Sequence, residues 1–153
     1  MLKIGEKYLF QDSWEGRRSC LMFSKDDDAT SWSVDIGFMP GDLNGEEIAP
    51  SLCINSIDTD KNSVEELTGE TFSVTTIEES DDREDAFYIY EWEPMVSYDL
   101  EVVEITDSKA HVRCKGVLIL DGYTNPYIEE KFEIDSWIPV IESVIDWEKF
   151  ETH

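Results

Sequence analysis

Apolar and polar side chains alternate with a period of two along most of the chain, which is typical of half-buried β-strands. Residues 31–38, SWSVDIGF, are the clearest case, because every second residue is apolar. The predicted strands are residues 6–12, 17–24, 31–38, 48–57, 71–77, 86–92, 97–105, 109–120 and 127–135. About eight or nine short strands separated by turns predict a mainly β fold, an antiparallel β-sandwich or barrel.

Two segments depart from this alternation and predict helices. Residues 63–68, SVEELT, combine a capping box of Ser63 and Glu66 with a following glycine, so they predict a short helix. Residues 139–150, PVIESVIDWEKF, place apolar side chains at helical spacing and begin with a proline, which suits a first turn. The sequence therefore predicts a C-terminal helix there.

Turn-forming residues mark the breaks between the strands. Residues 39–47, MPGDLNGEE, predict a loop. Pro50 cannot donate to a strand ladder, so residues 48–57 are predicted to form an edge strand or a loop. The acidic run 78–85, EESDDRED, predicts a flexible loop that leads into the strand at 86–92.

Charges predict how the two last strands pair. In an antiparallel pair the two residue numbers have a constant sum, and a sum of 248 places Arg113 opposite Asp135 and Lys115 opposite Glu133. It also places Leu120 opposite Ile128. A sum of 246 would oppose two lysines, which destabilises a sheet by a few tenths of a kcal/mol to about 1 kcal/mol. The sequence predicts the sum of 248, with the most basic strand neutralised inside the protein.

The charge of the chain limits its partners. The 153 residues carry a net charge of −24, and the acids are distributed along the whole length, which predicts a single acidic β-rich domain over residues 1–153. Binding to nucleic acid or to an anionic membrane needs clustered lysine and arginine, so neither is expected. A basic protein is the natural electrostatic partner, while the acidity itself is also compatible with a merely solvated surface.

The cysteines and the first residues of the chain indicate the cellular compartment in which the protein is expected. Cys20, Cys53 and Cys114 are scattered and odd in number, which favours a reducing environment. The first residues contain no apolar core of a signal peptide, and no apolar run approaches the ~20 residues that span a bilayer. A cytoplasmic location is expected.

Catalytic and metal-binding motifs do not emerge. His111 and Cys114 lie three apart in a predicted strand and so point to opposite faces. Asp58–Asn62 begins like a calcium-binding loop, but the required glycine and bidentate glutamate are replaced by Ser63 and Gly69. No enzyme activity, metal or cofactor is therefore expected.

Residues 78–93 form the candidate partner-binding site. An acidic run leads into an aromatic strand whose Tyr88, Tyr90 and Trp92 share one face, because side chains alternate. These rings are either packed in the core or exposed as interface anchors flanked by steering carboxylates. The candidate residues are Glu78, Glu79, Asp81, Asp82, Glu84, Asp85, Tyr88, Tyr90 and Trp92.

In size, acidity, cysteine usage and lack of catalytic motifs, the chain resembles the small immunity proteins of bacterial polymorphic-toxin systems, including contact-dependent inhibition. The resemblance implies a protein that binds a cognate toxin domain, such as a basic nuclease, and blocks its active site. Two alternatives remain open: a sandwich or barrel that binds a small ligand or carbohydrate through the aromatic row, and a nucleic-acid mimic.

Overall fold

The computed structural model describes residues 1–13, 19–25, 29–123 and 125–142, and most of them lie in β-strands. The strands are β1 (Leu2–Ile4), β2 (Tyr8–Phe10), β3 (Cys20–Lys25), β4 (Thr30–Gly37), β5 (Gly41–Leu43), β6 (Glu46–Ile48), β7 (Ser51–Thr59), β8 (Thr71–Val74), β9 (Ala86–Tyr88), β10 (Trp92–Pro94), β11 (Ser97–Thr106), β12 (Lys109–Asp121) and β13 (Ile128–Ile141). Within the described residues there is one α-helix, α1 (Ile77–Arg83), and one short 3₁₀ helix (Val64–Leu67). The prediction of a mainly β fold is confirmed.

Nine strands follow one another across a large sheet in the order β10-β9-β7-β4-β3-β13-β12-β11-β8, and β1 and β2 extend it from β13. The β5–β6 hairpin stands apart as a second, two-stranded sheet. The large sheet is mixed rather than wholly antiparallel, because Val140 and Ile141 of β13 pair in parallel with Leu21 and Met22 of β3. The sheet is not closed, and α1 contacts both of its end strands, β8 and β10.

The core lies inside the curled sheet. Phe87 of β9 and Phe132 of β13 belong to strands far apart in the sheet order, yet their ring centroids are 5.0 Å apart. This contact requires the two halves of the sheet to face each other across one interior. On β11, Tyr98, Leu100 and Val102 are all buried, so they share the inward face of the strand.

The predicted register of β12 and β13 is confirmed over most of its length. Arg113 lies opposite Asp135, and Lys115 lies opposite Glu133. The pairing of Leu120 with Ile128 is wrong, because a bulge between Ile119 and Asp121 shifts the ladder by one residue.

The charged pairs continue across the outer face of four strands. Two rows alternate acid and base: Asp99, Lys115, Glu133 and Lys3 in one, and Glu101, Arg113, Asp135 and the amino group of Met1 in the other. Each of these strands thus carries charges of one sign on this face, and the strand beside it carries charges of the opposite sign. This explains how the most basic strand is accommodated within the protein itself.

His111 belongs to this outer face, whereas Cys114 is buried, so the prediction that they point to opposite faces is confirmed. Nε2 of His111 lies 2.6 Å from Oδ1 of Asp135, and its ring stacks on Trp137. Nε of Arg113 donates to the other carboxylate oxygen at 3.1 Å. The hydrogen bond from His111, followed by that from Arg113, lowers the pKa of Asp135.

Two predictions are wrong in the first half of the chain. Residues 39–47 contain most of the β5–β6 hairpin rather than a loop, and Asn44-Gly45 turns it with positive φ at both residues. β7 is not an edge strand, because it lies between β4 and β9. Pro50 only precedes it, and its carbonyl accepts a hydrogen bond from the Phe38 N–H.

The two predicted helices have different outcomes. The short helix exists as the 3₁₀ turn, but Ser63 makes no side-chain cap, and Glu66 instead accepts from the Asn62 N–H at 2.9 Å. The C-terminal helix is wrong for residues 139–141, which complete β13. Val140 and Ile141 pair in parallel with β3, and the Val140 N–H donates to Ser108 O. Residues 143–150 of that prediction lie outside the described residues.

Candidate functional site

The segment predicted as one strand at 86–92 is instead a tight hairpin. β9 and β10 pair so that Tyr88 lies opposite Trp92, with ring centroids 5.4 Å apart. A single strand would have aligned Glu91 with the buried Phe87 and Ile89, whereas the turn removes this carboxylate from the core. The prediction of a continuous strand is therefore wrong, and the aromatic row is folded back on itself.

The structure shows which rings of the aromatic row are buried and which are exposed. Trp92 is 55% exposed and Tyr90 is 37% exposed, while Tyr88 is half-buried beneath Trp92. The core positions of the hairpin are taken by Phe87 and Ile89 instead. Two of the three candidate rings are thus available to a partner.

The loop between β12 and β13 brings Tyr123 to the hairpin. The Tyr123 O–H donates to Oε2 of Glu91 at 2.7 Å, and Tyr123 is 78% exposed. Tyr127 and Ile128, at the end of the same loop, are also exposed. These residues were missed from the sequence, where the only signal was a tyrosine within the turn-forming stretch DGYTNP.

We call the exposed side chains of these two segments the aromatic patch: Tyr90, Trp92, Tyr123, Tyr127 and Ile128. They are five of the eight large hydrophobic side chains that are exposed in the described residues. The other three lie outside these segments: Met1 precedes β1, Leu9 is in β2, and Trp137 is in β13 but nine residues beyond Ile128. Clustering of exposed apolar side chains is typical of an interaction site, whereas scattered ones need no explanation.

Carboxylates surround the aromatic patch. Glu91 and Glu93 flank Trp92 in sequence, and their side chains are hydrogen-bonded to each other. That bond, followed by desolvation and by the charges of Glu91 and Asp121, raises the pKa of Glu93 to about 7. Burial raises the pKa of Tyr90, and the next cause is the charge of Glu46 in the β5–β6 hairpin. Acids from three parts of the chain therefore meet around these rings.

The acidic run is a helix rather than the predicted flexible loop. The Thr76 side chain accepts from the Glu79 N–H at 3.2 Å, and the Glu79 carboxylate accepts from the Thr75 N–H, which together cap the first turn. Glu78 and Glu79 in that turn also suit the positive end of the helix dipole. The helix ends where Glu84 adopts a left-handed conformation.

The end of the helix turns Asp85 into the interior, where it is only 1% exposed. Its carboxylate accepts from the Asn55 N–H at 2.8 Å, from Nε of Arg83 at 2.8 Å and from the Tyr98 O–H. Arg83 also donates to Asn55 O at 2.8 Å and lies over the ring of Phe72. The cation that Asp85 needs is thus provided by the acidic run itself.

A buried serine joins the helix to the hairpin. The Ser80 O–H donates to Asp85 O at 3.1 Å, and its oxygen accepts from the Met95 N–H at 2.9 Å. The exposed acids of α1 therefore lie on an element fixed beside β10.

The structure separates the predicted site residues into two groups. The exposed ones are Glu78, Glu79, Asp81, Asp82, Glu84, Tyr90 and Trp92. Tyr88 is half-buried with its ring against Trp92, and Asp85 is buried among its three hydrogen-bond donors. Asp85 is therefore not part of the candidate surface.

A large groove lies elsewhere on the protein. A groove of about 860 Å³ opens on the outer face formed by β1, β8, β11, β12 and β13 and is lined by the alternating charged rows. No aromatic ring lines it. The hollow beside the hairpin, between Ile89 and Tyr123, has only about 10 Å³. The aromatic patch thus does not line the large groove, and the hollow beside Tyr90 and Tyr123 is small.

No family model matches the chain, and neither a curated protein nor a solved structure matches it. Among the described residues, no helix has the length and apolar character that crossing a membrane requires. In the same part of the chain, no three histidine, cysteine or acidic side chains are arranged to hold a metal ion.

Proposed function

We propose that this chain is a protein-binding module that neutralises a basic partner, in the manner of an immunity protein that blocks a cognate toxin such as a nuclease. The observation that carries the proposal is the aromatic patch, which lies among carboxylates and beside the acidic helix α1. Tyrosine and tryptophan provide most of the binding energy of protein interfaces, and flanking charges steer the encounter. A net charge of −24 makes a cationic partner the favoured one.

A bacterial cytoplasm is the setting that we propose for this activity. All three cysteines are free, and burial raises the pKa of the Cys20 and Cys53 thiols to about 12. Such thiols stay protonated and unreactive, which suits a reducing compartment.

The geometry supports the alternatives less well. A binding site for a carbohydrate or another small ligand normally is a concave pocket lined by aromatic side chains. Here the exposed rings lie on a surface, and the large groove has none. A protein partner therefore fits the aromatic patch better than a small ligand does.

The partner can be sought by affinity capture from the source cell or with the product of the neighbouring upstream gene. We expect a basic protein whose association slows steeply as salt is added, because screening weakens steering. A complex that is indifferent to salt would contradict the electrostatic part of the proposal. Failure to capture any protein with the native chain would contradict the proposal as a whole.

Two variants separate the contribution of the acidic charges to binding from that of the Trp92 ring. Asp81→Lys combined with Asp82→Lys should slow association about tenfold at low salt with little change in dissociation. Trp92→Ala should raise Kd by about 30-fold, mainly through faster dissociation, as expected for a hot-spot residue. Stopped-flow mixing and surface plasmon resonance measure these rates.

Matched controls test whether the effects belong to this surface. Trp137 is 45% exposed and lies nine residues beyond Ile128 along β13, so Trp137→Ala should leave Kd unchanged. Asp58→Lys combined with Glu65→Lys changes the net charge by the same amount on other elements and should slow association less. Equal effects of the control and site variants would place the interface elsewhere.

A further inference from the structure

The outer surface of β11, β12, β13 and β1 carries its side chains in rows that run across the strands. The two charged rows follow the backbone pairing of these strands, and the groove of about 860 Å³ lies between them. Each charged row holds two acidic and two basic groups, so the two rows together carry no net charge. In a chain with a net charge of −24, they form a locally neutral surface.

A third row extends this surface with aromatic side chains. His111 of β12 lies opposite Trp137 of β13, and their rings stack with centroids 4.9 Å apart. Trp137 is 45% exposed, and the exposed Leu9 lies opposite Lys3 where β2 pairs with β1. With Met1, they are the exposed large hydrophobic side chains of the described residues that lie outside the aromatic patch. We call the three rows, together with Leu9 and Met1 at their ends, the striped face.

The order of the charges makes the striped face complementary to itself. Both charged rows have the order acid, base, acid, base from β11 through β12 and β13 to β1. A two-fold axis parallel to the strands, between β12 and β13, reverses this order in a second copy that is placed face to face. Lys115 then faces Glu133 of the second copy, and Arg113 faces its Asp135. An axis across the strands would instead set each strand over its own counterpart, with equal charges opposed.

We propose that the striped face binds a second copy of this chain about a two-fold axis that runs parallel to the strands between β12 and β13. In this arrangement His111 of one copy faces Trp137 of the other, and the axis brings both tryptophan side chains to the centre of the interface. A central tryptophan surrounded by polar contacts is typical of a binding hot spot. A symmetric dimer needs one self-complementary surface, and the striped face provides it.

The dimensions of the striped face suit a dimer. The six strands from β8 to β2 give a surface about 24 Å wide, and residues 109–117 of β12 extend about 27 Å along it. This footprint is of the same order as the ~800 Å² that a standard interface takes from each partner. The groove between the charged rows would stay hydrated, as is usual in polar interfaces. Because exposed ion pairs contribute little, we expect a weak dimer with a Kd on the order of 10 μM.

A charge exchange between two variants tests the arrangement on the free protein, independently of any other partner. Sedimentation velocity over about 1–100 μM should show that the native chain is in equilibrium between monomer and dimer. Lys115→Glu opposes two carboxylates at two symmetric points, and Glu133→Lys opposes two lysines there, so each should raise the dimer Kd at least about tenfold.

An equimolar mixture of these two variants should form a heterodimer with a Kd near that of the native dimer, because the reversed charge of each variant faces the reversed charge of the other. Mixing leaves the charge neighbours within each chain unchanged, so this recovery distinguishes contact between copies from an effect on folding. A mixture that stays as dissociated as its components would overturn the proposal. A native chain that remains monomeric at about 1 mM would overturn it as well.

Controls outside the striped face complete the test. Lys25→Glu makes the same change of charge at an exposed position of β3, so it should leave the dimer Kd unchanged. Trp137→Ala should raise the dimer Kd about tenfold, whereas Trp92→Ala, in the aromatic patch, should not affect dimerisation. Loss of the dimer in Trp92→Ala but not in Trp137→Ala would assign the contact to the aromatic patch and overturn the proposal.

Discussion

Replacing Asp85 by alanine is expected to destabilise the protein by about 3–5 kcal/mol, the range found when one partner of a buried ion pair is removed. The change leaves the Arg83 guanidinium, the Asn55 N–H and the Tyr98 O–H without their common acceptor. These groups belong to α1, β7 and β11, so the loss releases the helix from two strands at once. Urea denaturation followed by circular dichroism measures the change in the free energy of unfolding.

The control is Asp82→Ala, which removes the same charge from an exposed position of the same helix. Its effect should stay within about 0.5 kcal/mol, as for most surface substitutions. The double variant Asp85→Ala with Arg83→Ala should cost less than the sum of the two single changes, because neither charge is then left without its partner. Strict additivity, or an Asp85→Ala variant as stable as the control, would show that the buried network contributes little to the free energy of unfolding.

The acidic helix shows why local sequence was misleading around residues 78–85. Like charges four residues apart, such as Glu78 and Asp82, destabilise an isolated helix. The capping box of Thr76 and Glu79 was present in the sequence as a helix signal. What decides the outcome is tertiary: the bonds of Ser80 and Asp85 hold the segment against the sheet.

Pairing between β12 and β13 was predictable because charges on adjacent strands limit the register. The partners of the outer face, Arg113 with Asp135 and Lys115 with Glu133, follow directly from it. The parallel contact of β13 with β3 was not predictable, since nothing local distinguishes Val140 and Ile141 from a helical face. Pairing with the distant strand β3 determines the structure there, although the local sequence has helical periodicity.

The candidate site was half predictable for a similar reason. Tyr90 and Trp92 stood out in a run of aromatic residues beside the acids. Tyr123 is 32 positions from Glu91 in the chain, and only the fold brings the two together. A hairpin in place of a strand also changed the arrangement of the aromatic row, because Tyr88 now lies opposite Trp92 on the neighbouring strand with the two rings in contact.

Gly116→Ala is expected to destabilise the protein by about 3 kcal/mol or more, at the upper end of the cost of overpacking. Gly116 lies opposite Tyr98 where β11 and β12 approach most closely, and a Cβ there would lie 2.1 Å from Ser97 O and 2.7 Å from the Tyr98 Cα. Both obstacles are backbone atoms, so the two strands must separate to admit the methyl group. The midpoint of urea unfolding measures the loss.

Gly122→Ala is the matched control for this prediction, because the same methyl group there meets only the Glu93 side chain. A side chain can rotate away, so the cost should remain below about 1 kcal/mol. The comparison thus separates a glycine required by two backbones from one that merely accommodates a carboxylate. Equal costs at the two positions would mean that β11 can move away from β12 freely. The inner face around Tyr98, and with it the attachment of Asp85, would then be less rigid than its hydrogen bonds imply.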